Sequence, residues 1–219
     1  LSGIAAASVS QTGTLGYIAG FPFPEVIRGI NAFALGAQSV NPDVTVEVVW
    51  TNSDGDAAVE NNAANVLIEA GADVLAAQQD SAATGEFAAS NGVRWIGYGM
   101  NLSDAAPSAF LTATTWHWTG RYVQVINLVA TGDYEPVSYW GGLADGVVAL
   151  ADLKGVSDEL RGEIADERQR VEKGDLKIFE GPIVDQAGTE RVADGNELSD
   201  DELRTMDWFV AGVIGSPRR

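Results

Sequence analysis

Four short stretches of the chain carry side chains able to hold a small molecule, and each closes a run of β-prone residues. They are Phe21 and Phe23 in "GFPFPEV", Trp50 and Asn52 in "VVWTNSDGD", Gln79 and Asp80 in "AAQQDSAA", and Tyr98 in "WIGYGMN". Aromatic faces stack on flat rings, while amides, phenols and carboxylates read the donors and acceptors along a ring's edge. Almost no basic residue stands among them, so the set suits a neutral, flat, hydrogen-bonding ligand better than a phosphorylated one. Two readings stay open for each of Phe21 and Phe23: stacking on a ligand, or packing into the adjacent core. Asp80 divides in the same way between an acceptor for a ligand donor and a solvated turn residue.

The same stretches offer little to catalysis. Ser81 follows Asp80 on a strand-to-helix turn, but no G-x-S-x-G and no neighbouring histidine accompany it, so it reads as a helix cap rather than a nucleophile. His117, the one histidine, lies between Trp116 and Trp118, and alone it forms neither a triad nor a metal centre. There is no cysteine, which removes disulfides, thiolate metal sites and cysteine nucleophiles. Asp54 and Asp56 lack the glycine and terminal glutamate of a calcium loop, and capping is the better reading. The first turn lacks G-x-G-x-x-G, and G-x-x-x-x-G-K-[ST] occurs nowhere. Catalytic residues, metal ligands and cofactors are all expected to be none.

Composition narrows the partners. The 219 residues carry a formal charge of −18, with 31 acidic against 13 basic side chains. Such a surface repels phosphate backbones and anionic lipid, so nucleic acid is not an expected partner. No run of 18 apolar residues and no leader-like start is present, so neither a membrane span nor a signal peptide is expected within the chain. The mean hydropathy of +0.01 is that of an ordinary globular chain long enough for one large domain or two small lobes.

The elements that must position the four stretches alternate in type. Strands are expected at 15–20, 44–50, 72–78 and 93–99, separated by helices of 3.6-residue period, the pattern of consecutive βαβ units on a parallel sheet. In the first helix Pro24 suits the opening turn and Val26, Ile30, Phe33 and Ala37 face the core. The second, about 57–70, follows Asp56 as cap and buries Val59, Ala63, Val66 and Leu67, and the third runs over about 82–90 with Ser81 as cap. Beyond Pro107 the pattern changes to a strand or crossing at 109–116, a helix at 117–131, and a turn with an apolar strand at 139–153. An alternating-charge helix at 157–173 with a thin stripe of Leu160, Ile164 and Val171 reads as a solvated outer helix. The tail gives one strand, a turn, a capped short helix and an aromatic closing segment. In an open parallel sheet ligands sit at the carboxyl ends of the strands, which is where Phe21, Trp50, Gln79 and Tyr98 fall.

Several long collinear motifs resemble the basic membrane lipoprotein (PnrA-like) family: "TGTLGYIAGFPFPEVIRGINAFALGAQSVNP", "VVWTNSDGD", "AGADVLAAQQDSAATGEFAASNGVRWIGYG", "YWGGLADGVV" and "MDWFVAGVIG". The resemblance spans essentially the whole chain. It implies the α/β type I periplasmic-binding fold, in which two Rossmann-like lobes with parallel sheets close on a ligand. It further implies a non-enzymatic receptor that captures a purine base or nucleoside for an ABC permease, monomeric, and held at the membrane only through a lipid anchor outside this chain. Family members carry further residues upstream, so residues 1–13 are expected to end a first-lobe helix, with that lobe incomplete here. Residues 14–108 then form the second lobe, 109–153 the hinge and return, and 154–219 a helix, strand and tail packed on the lobes. The implied ligand wall is Phe21, Phe23, Trp50, Asn52, Gln79, Asp80 and Tyr98, with Gly142 from the hinge motif "GGLADG". Nucleoside-binding members tend to place an aspartate and a lysine where Gly99 and Ala144 stand, which tilts the implied ligand toward a free base such as adenine. A ligand-sensing module of a regulator or receptor on the same fold is the alternative.

Overall fold

The computed structural model describes residues 1–218. Nine strands and seven helices follow in chain order among them. Helix α1 (Ser2–Val9) leads into β1 (Thr14–Ala19), α2 (Pro24–Val40), β2 (Thr45–Trp50), α3 (Ala57–Glu69), β3 (Val74–Gln78), α4 (Ala83–Asn91), β4 (Arg94–Gly99) and β5 (Phe110–Trp116). Then come α5 (Thr119–Thr131), β6 (Val148–Leu150), α6 (Asp158–Lys173), the pair β7 (Ile183–Val184) and β8 (Glu190–Val192), α7 (Asp200–Arg204) and β9 (Val213–Ile214).

One sheet of seven strands runs β6-β5-β4-β3-β1-β2-β9, parallel throughout except for β6 on β5. From β1 the chain builds outward first to β2 and then, on the other side, to β3, β4 and β5. This reversal makes the β1/β3 boundary the switch point, where successive loops part and leave a crevice at the strands' carboxyl ends.

The sheet is covered on both faces, as a parallel sheet requires. On one face α1, α2 and α6 pack with Ile30, Phe33, Ala37, Leu160 and Ile164 in a single core. On the other, α3 and α4 bury Ala63, Ala64, Leu67 and Ala88 against Ile18, Leu75 and Trp95. Residues 1–13 thus share the core of the strands that follow them, with Ala5, Ala6 and Ala7 buried against α2.

Two expectations for α3 are corrected. Val59 and Val66 are exposed, and Glu60 is fully buried in their stead. Its carboxylate accepts from Ser81 Oγ at 2.8 Å and Thr84 Oγ1 at 3.3 Å, so hydroxyls from the start of α4 make burial of the acid tolerable. The tail differs as well: in place of one strand it makes the β7/β8 pair and sends β9 back to the sheet edge beside β2. Helix α7 carries a full capping box between Ser199 and Glu202, as its sequence predicts.

The turn joining β7 to β8 is organised by Asp185, which accepts from the Ala187 and Thr189 N–H groups and from Arg191 Nε at 2.6 Å. The Thr189 amide first, and Arg191 beside it, hold this carboxyl below the usual carboxylate range. A depressed pKa contributes stability above the unfolded value of about 3.9, and that contribution is lost as pH falls through the folded pKa. Asp185→Asn is therefore expected to unfold at lower temperature than the parent at pH 7, with the gap closing as pH falls below about 4. Thermal unfolding at a series of pH values checks this, and a gap independent of pH would contradict it.

Candidate ligand-binding edge

The switch point is built from three loops tied together from below. Leaving β2, the Thr51 and Asn52 N–H groups bond the carbonyls of Ala19 and Gly20 at 2.9 Å each, and the Asp80 N–H bonds Asp54 O at 2.6 Å. Gln79 is buried beneath them. Its amide nitrogen donates to Ser53 O at 2.8 Å and its oxygen accepts from Thr51 Oγ1 at 2.9 Å and Gly20 N at 3.1 Å, the orientation that satisfies every neighbour. Gln79 therefore joins all three loops and presents no free amide edge to the crevice.

Gly20 is required by this crowding. A Cβ there would lie 2.1 Å from Asp54 Oδ1 and 3.1 Å from the Ser53 carbonyl oxygen. Gly20→Ala is expected to destabilise the fold by about 1–3 kcal/mol through overpacking. Adding Asp54→Ala should restore part of it, because the carboxylate is the nearer obstacle. Urea unfolding of the single and double variants measures both.

Above the knot, Phe21 and Phe23 stand together with ring centroids 5.6 Å apart and planes tilted by 30°. Pro24 fixes the first turn of α2 immediately after them, and Phe23 occupies the N-cap position in extended conformation. That geometry leaves Phe23 56% exposed and Phe21 half-buried, which favours a ring face available to a ligand at Phe23. Asn52 is exposed beside them with φ of 55°, the one described non-glycine residue in the left-handed region. Asparagine tolerates that conformation better than most residues, and strain of this kind gathers where a side chain must be aimed. Asp80 is exposed at the same edge.

Tyr98, at the end of β4, is half-buried, and burial pushes its phenol above the ordinary tyrosine value, with Glu25 and Asp80 adding to the shift. It therefore stays protonated and neutral near pH 7. Its ring meets the Trp116 indole edge-on, at 5.9 Å and 90°.

Trp50 is not brought to this group. Its indole stacks on Phe209 at 6.3 Å and 10°, and its Nε1 donates to Ser216 O at 2.7 Å, so the closing segment of the chain engages it. Gly142 lies in the 132–146 segment, which is largely exposed, and its N–H donates to Asp145 Oδ2 at 2.9 Å.

Two residues outside the expected set do reach the edge. Gln78 bridges Tyr17 and Tyr98, with 3.3 Å to each phenol. Arg28, on the second turn of α2, donates to Leu203 O at 2.8 Å and lies 5.0 Å from the centre of the Trp140 ring, which Arg204 approaches to 4.7 Å. The helical spacing Pro24 to Arg28 was the available signal for Arg28. For Gln78 it was the alternation of β3, which turns neighbouring glutamines to opposite sides.

A shallow apolar hollow of about 500 Å³ lies elsewhere, along α5, lined by Trp118, Arg121, Tyr122, Val125, Ile126 and Tyr139. None of the α5 residues is buried. With almost nothing polar to orient a bound molecule, the hollow is a poorer ligand site than the switch point. Among the described residues no group of three or more His, Cys, Asp or Glu side chains is placed to hold a metal ion. No helix among them is long and apolar enough to cross a membrane.

Residues 1–181 match the family described as ABC transporter substrate-binding protein PnrA-like. The chain is 36% identical over 213 residues to a purine-binding protein of Brucella abortus (strain 2308), covering 97% of this chain and 61% of that one. It is 34% identical over 216 residues to a putative ABC transporter glucose-binding protein of Haloferax volcanii, covering 98% of this chain and 53% of the other. The chain therefore spans between about half and two thirds of the length of these curated relatives. Among solved structures, a transcriptional activator of the comK gene from Bacillus halodurans superposes with a TM-score of 0.70 at 30% identity, over 80% of this chain and 62% of that one.

Proposed function

The chain belongs to the PnrA-like family of ABC transporter substrate-binding proteins, extracytoplasmic solute-binding proteins rather than enzymes, and from that premise we propose that it captures a purine base or purine nucleoside at its switch-point edge. The observation that carries the proposal is the grouping there of two phenylalanine rings with an exposed amide, an exposed carboxylate and a neutral phenol. A purine asks for these groups: ring faces for its plane, and donors and acceptors for its nitrogens and exocyclic group. The similarity to a protein named as purine-binding over 97% of this chain supports the same ligand class.

In the full protein the first lobe closes over the bound ring, and the closed form delivers it to an ABC permease, with a lipid anchor outside this chain holding a monomeric receptor at the membrane. The wall comprises Phe21, Phe23, Asn52, Asp80 and Tyr98, with Gly142 on the hinge side. Gln79 supports it from beneath, and Trp50 secures the closing segment at its flank. An adenine-like base is favoured over a nucleoside. Gly99 and Ala144 stand where a carboxylate and an ammonium would serve ribose hydroxyls, and Gly99, at φ of 79°, leaves that position without a side chain.

Two observations favour other readings of the same edge. The relative named as glucose-binding points to a sugar, whose ring can also lie on an aromatic face. The comK activator points to a ligand-sensing module of a regulator. Isothermal titration of the full-length protein with adenine, guanine, adenosine, guanosine and glucose separates them. Saturable binding of a purine, adenine tightest, is expected; binding of glucose alone, or of none of the five, would overturn the proposal.

A further inference from the structure

Tyr17 lies inside β1, directly beneath the edge, with its ring edge-on to Phe33 at 5.4 Å and 74° and only 8% of its surface exposed. Burial, and then the neighbouring Tyr98, push its phenol far above the ordinary tyrosine value, so it keeps its proton. A buried O–H needs an acceptor, and among the described residues its hydrogen-bond partner is Gln78 Oε1. This contact fixes the amide of Gln78. The reverse orientation would face Tyr17 with an N–H and leave the buried phenol proton without an acceptor, a cost greater than the gain of a typical hydrogen bond.

With its oxygen so engaged, Gln78 turns Nε2 toward the Tyr98 oxygen. The Trp116 indole stands edge-on to the same ring. A phenol oxygen that already accepts from Gln78 has its own hydrogen left to offer, and among the described residues no acceptor takes it.

We propose that Tyr17 is a positioning residue that acts through Gln78 to fix Tyr98 as a hydrogen-bond donor, so that the edge selects heterocycles presenting an unprotonated ring nitrogen or a carbonyl oxygen at that point. The inference rests on the reading that the ligand occupies the switch-point edge. It adds a polarity to the site: Tyr98 gives, whereas Asp80 can only accept. A ring must therefore enter with an acceptor toward β4 and a donor toward the β3 loop. Gln78 carries the orientation across one β-strand from a residue that itself touches no ligand.

The test uses the full-length protein with adenine and with 1-deazaadenine, 3-deazaadenine and 7-deazaadenine, each lacking one acceptor nitrogen. The parent protein is expected to bind one of the three at least about tenfold more weakly than adenine, the size of one good hydrogen bond. Tyr98→Phe should bind adenine and that analogue equally. Tyr17→Phe should narrow the ratio to about threefold while retaining a cooperative unfolding transition. A purely structural role for Tyr17 would weaken all four ligands alike and leave the ratio unchanged, overturning the inference, as would full discrimination in Tyr98→Phe. The side-chain amide signals of Gln78 in the ligand-free protein, followed by NMR, give a readout that needs no ligand. Both variants should shift these signals and speed their hydrogen exchange. Unchanged signals in both overturn the relay; shifted signals in a protein that binds no purine support the relay and overturn only the ligand class.

Discussion

Replacing Phe21 and Phe23 together by alanine is expected to weaken purine binding by about 100-fold or more, with little change in stability. An aromatic ring stacked on a base contributes about 1–3 kcal/mol by alanine substitution, so two such rings account for that loss even when part of it is shared between them. The rings touch each other at 5.6 Å, which is why the double variant is the cleaner measurement. Phe23→Ala alone should lose about tenfold, because its ring is the more exposed of the two, and Phe23→Tyr should retain most of the affinity. Titration calorimetry gives the affinities and urea unfolding the stabilities. Parental affinity in the double variant would assign both rings to the protein's own packing.

The largest expected loss of stability is at Trp95→Ala, about 3–5 kcal/mol. Trp95 is fully buried, edge-on to Phe110 at 5.8 Å and 73°, in the core that α3 and α4 form on their face of the sheet. Helix α4 lies directly on the indole at Gly85, where a Cβ would fall 2.3 Å from the ring, so the helix cannot settle into the space that alanine would leave without moving as a whole. For a chain of this size such a loss lowers the thermal midpoint by roughly 2–4 °C per kcal/mol. Trp95→Phe is the informative companion: it keeps most of the ring and removes the indole N–H, which is buried without a hydrogen-bond partner among the described residues. It should therefore cost much less than alanine. Equal costs for the two variants would mean that packing around the ring is not what holds α4 in place.

What the sequence reveals and what it withholds divide by the range of the interactions. The alternation from Thr14 to Gly99 is legible because each strand is a short β-branched or aromatic run and each helix carries a local stop or start, such as Pro24, Asp56 and Gly92. The cap at Asp56 is seen as expected, its carboxylate accepting from the Ala58 and Val59 N–H groups. The inward turn of Glu60 is not legible, because an acid between apolar neighbours on a helix is ordinarily the exposed position, and the hydroxyls that satisfy it arrive from 21 and 24 residues away. The choice between Gln78 and Gln79 turns on a single residue of strand register, and a one-residue slip exchanges the sides. Trp50 is taken by Phe209 and Ser216, more than 150 residues downstream, which no local pattern encodes. The strand-to-helix turn at Pro24 is legible, but for each of Phe21 and Phe23 the sequence leaves open whether the ring meets a ligand or the core, and the 56% exposure of Phe23 is visible only in the fold.

A crystal structure of the full-length protein with the ligand it retains through purification tests the central claim most directly. Flat bicyclic density is expected against Phe21 and Phe23, without an attached pentose, and with one ring acceptor at hydrogen-bond distance from the Tyr98 hydroxyl. A puckered sugar in that place, or a ligand bound away from the ends of β1, β3 and β4, would contradict it.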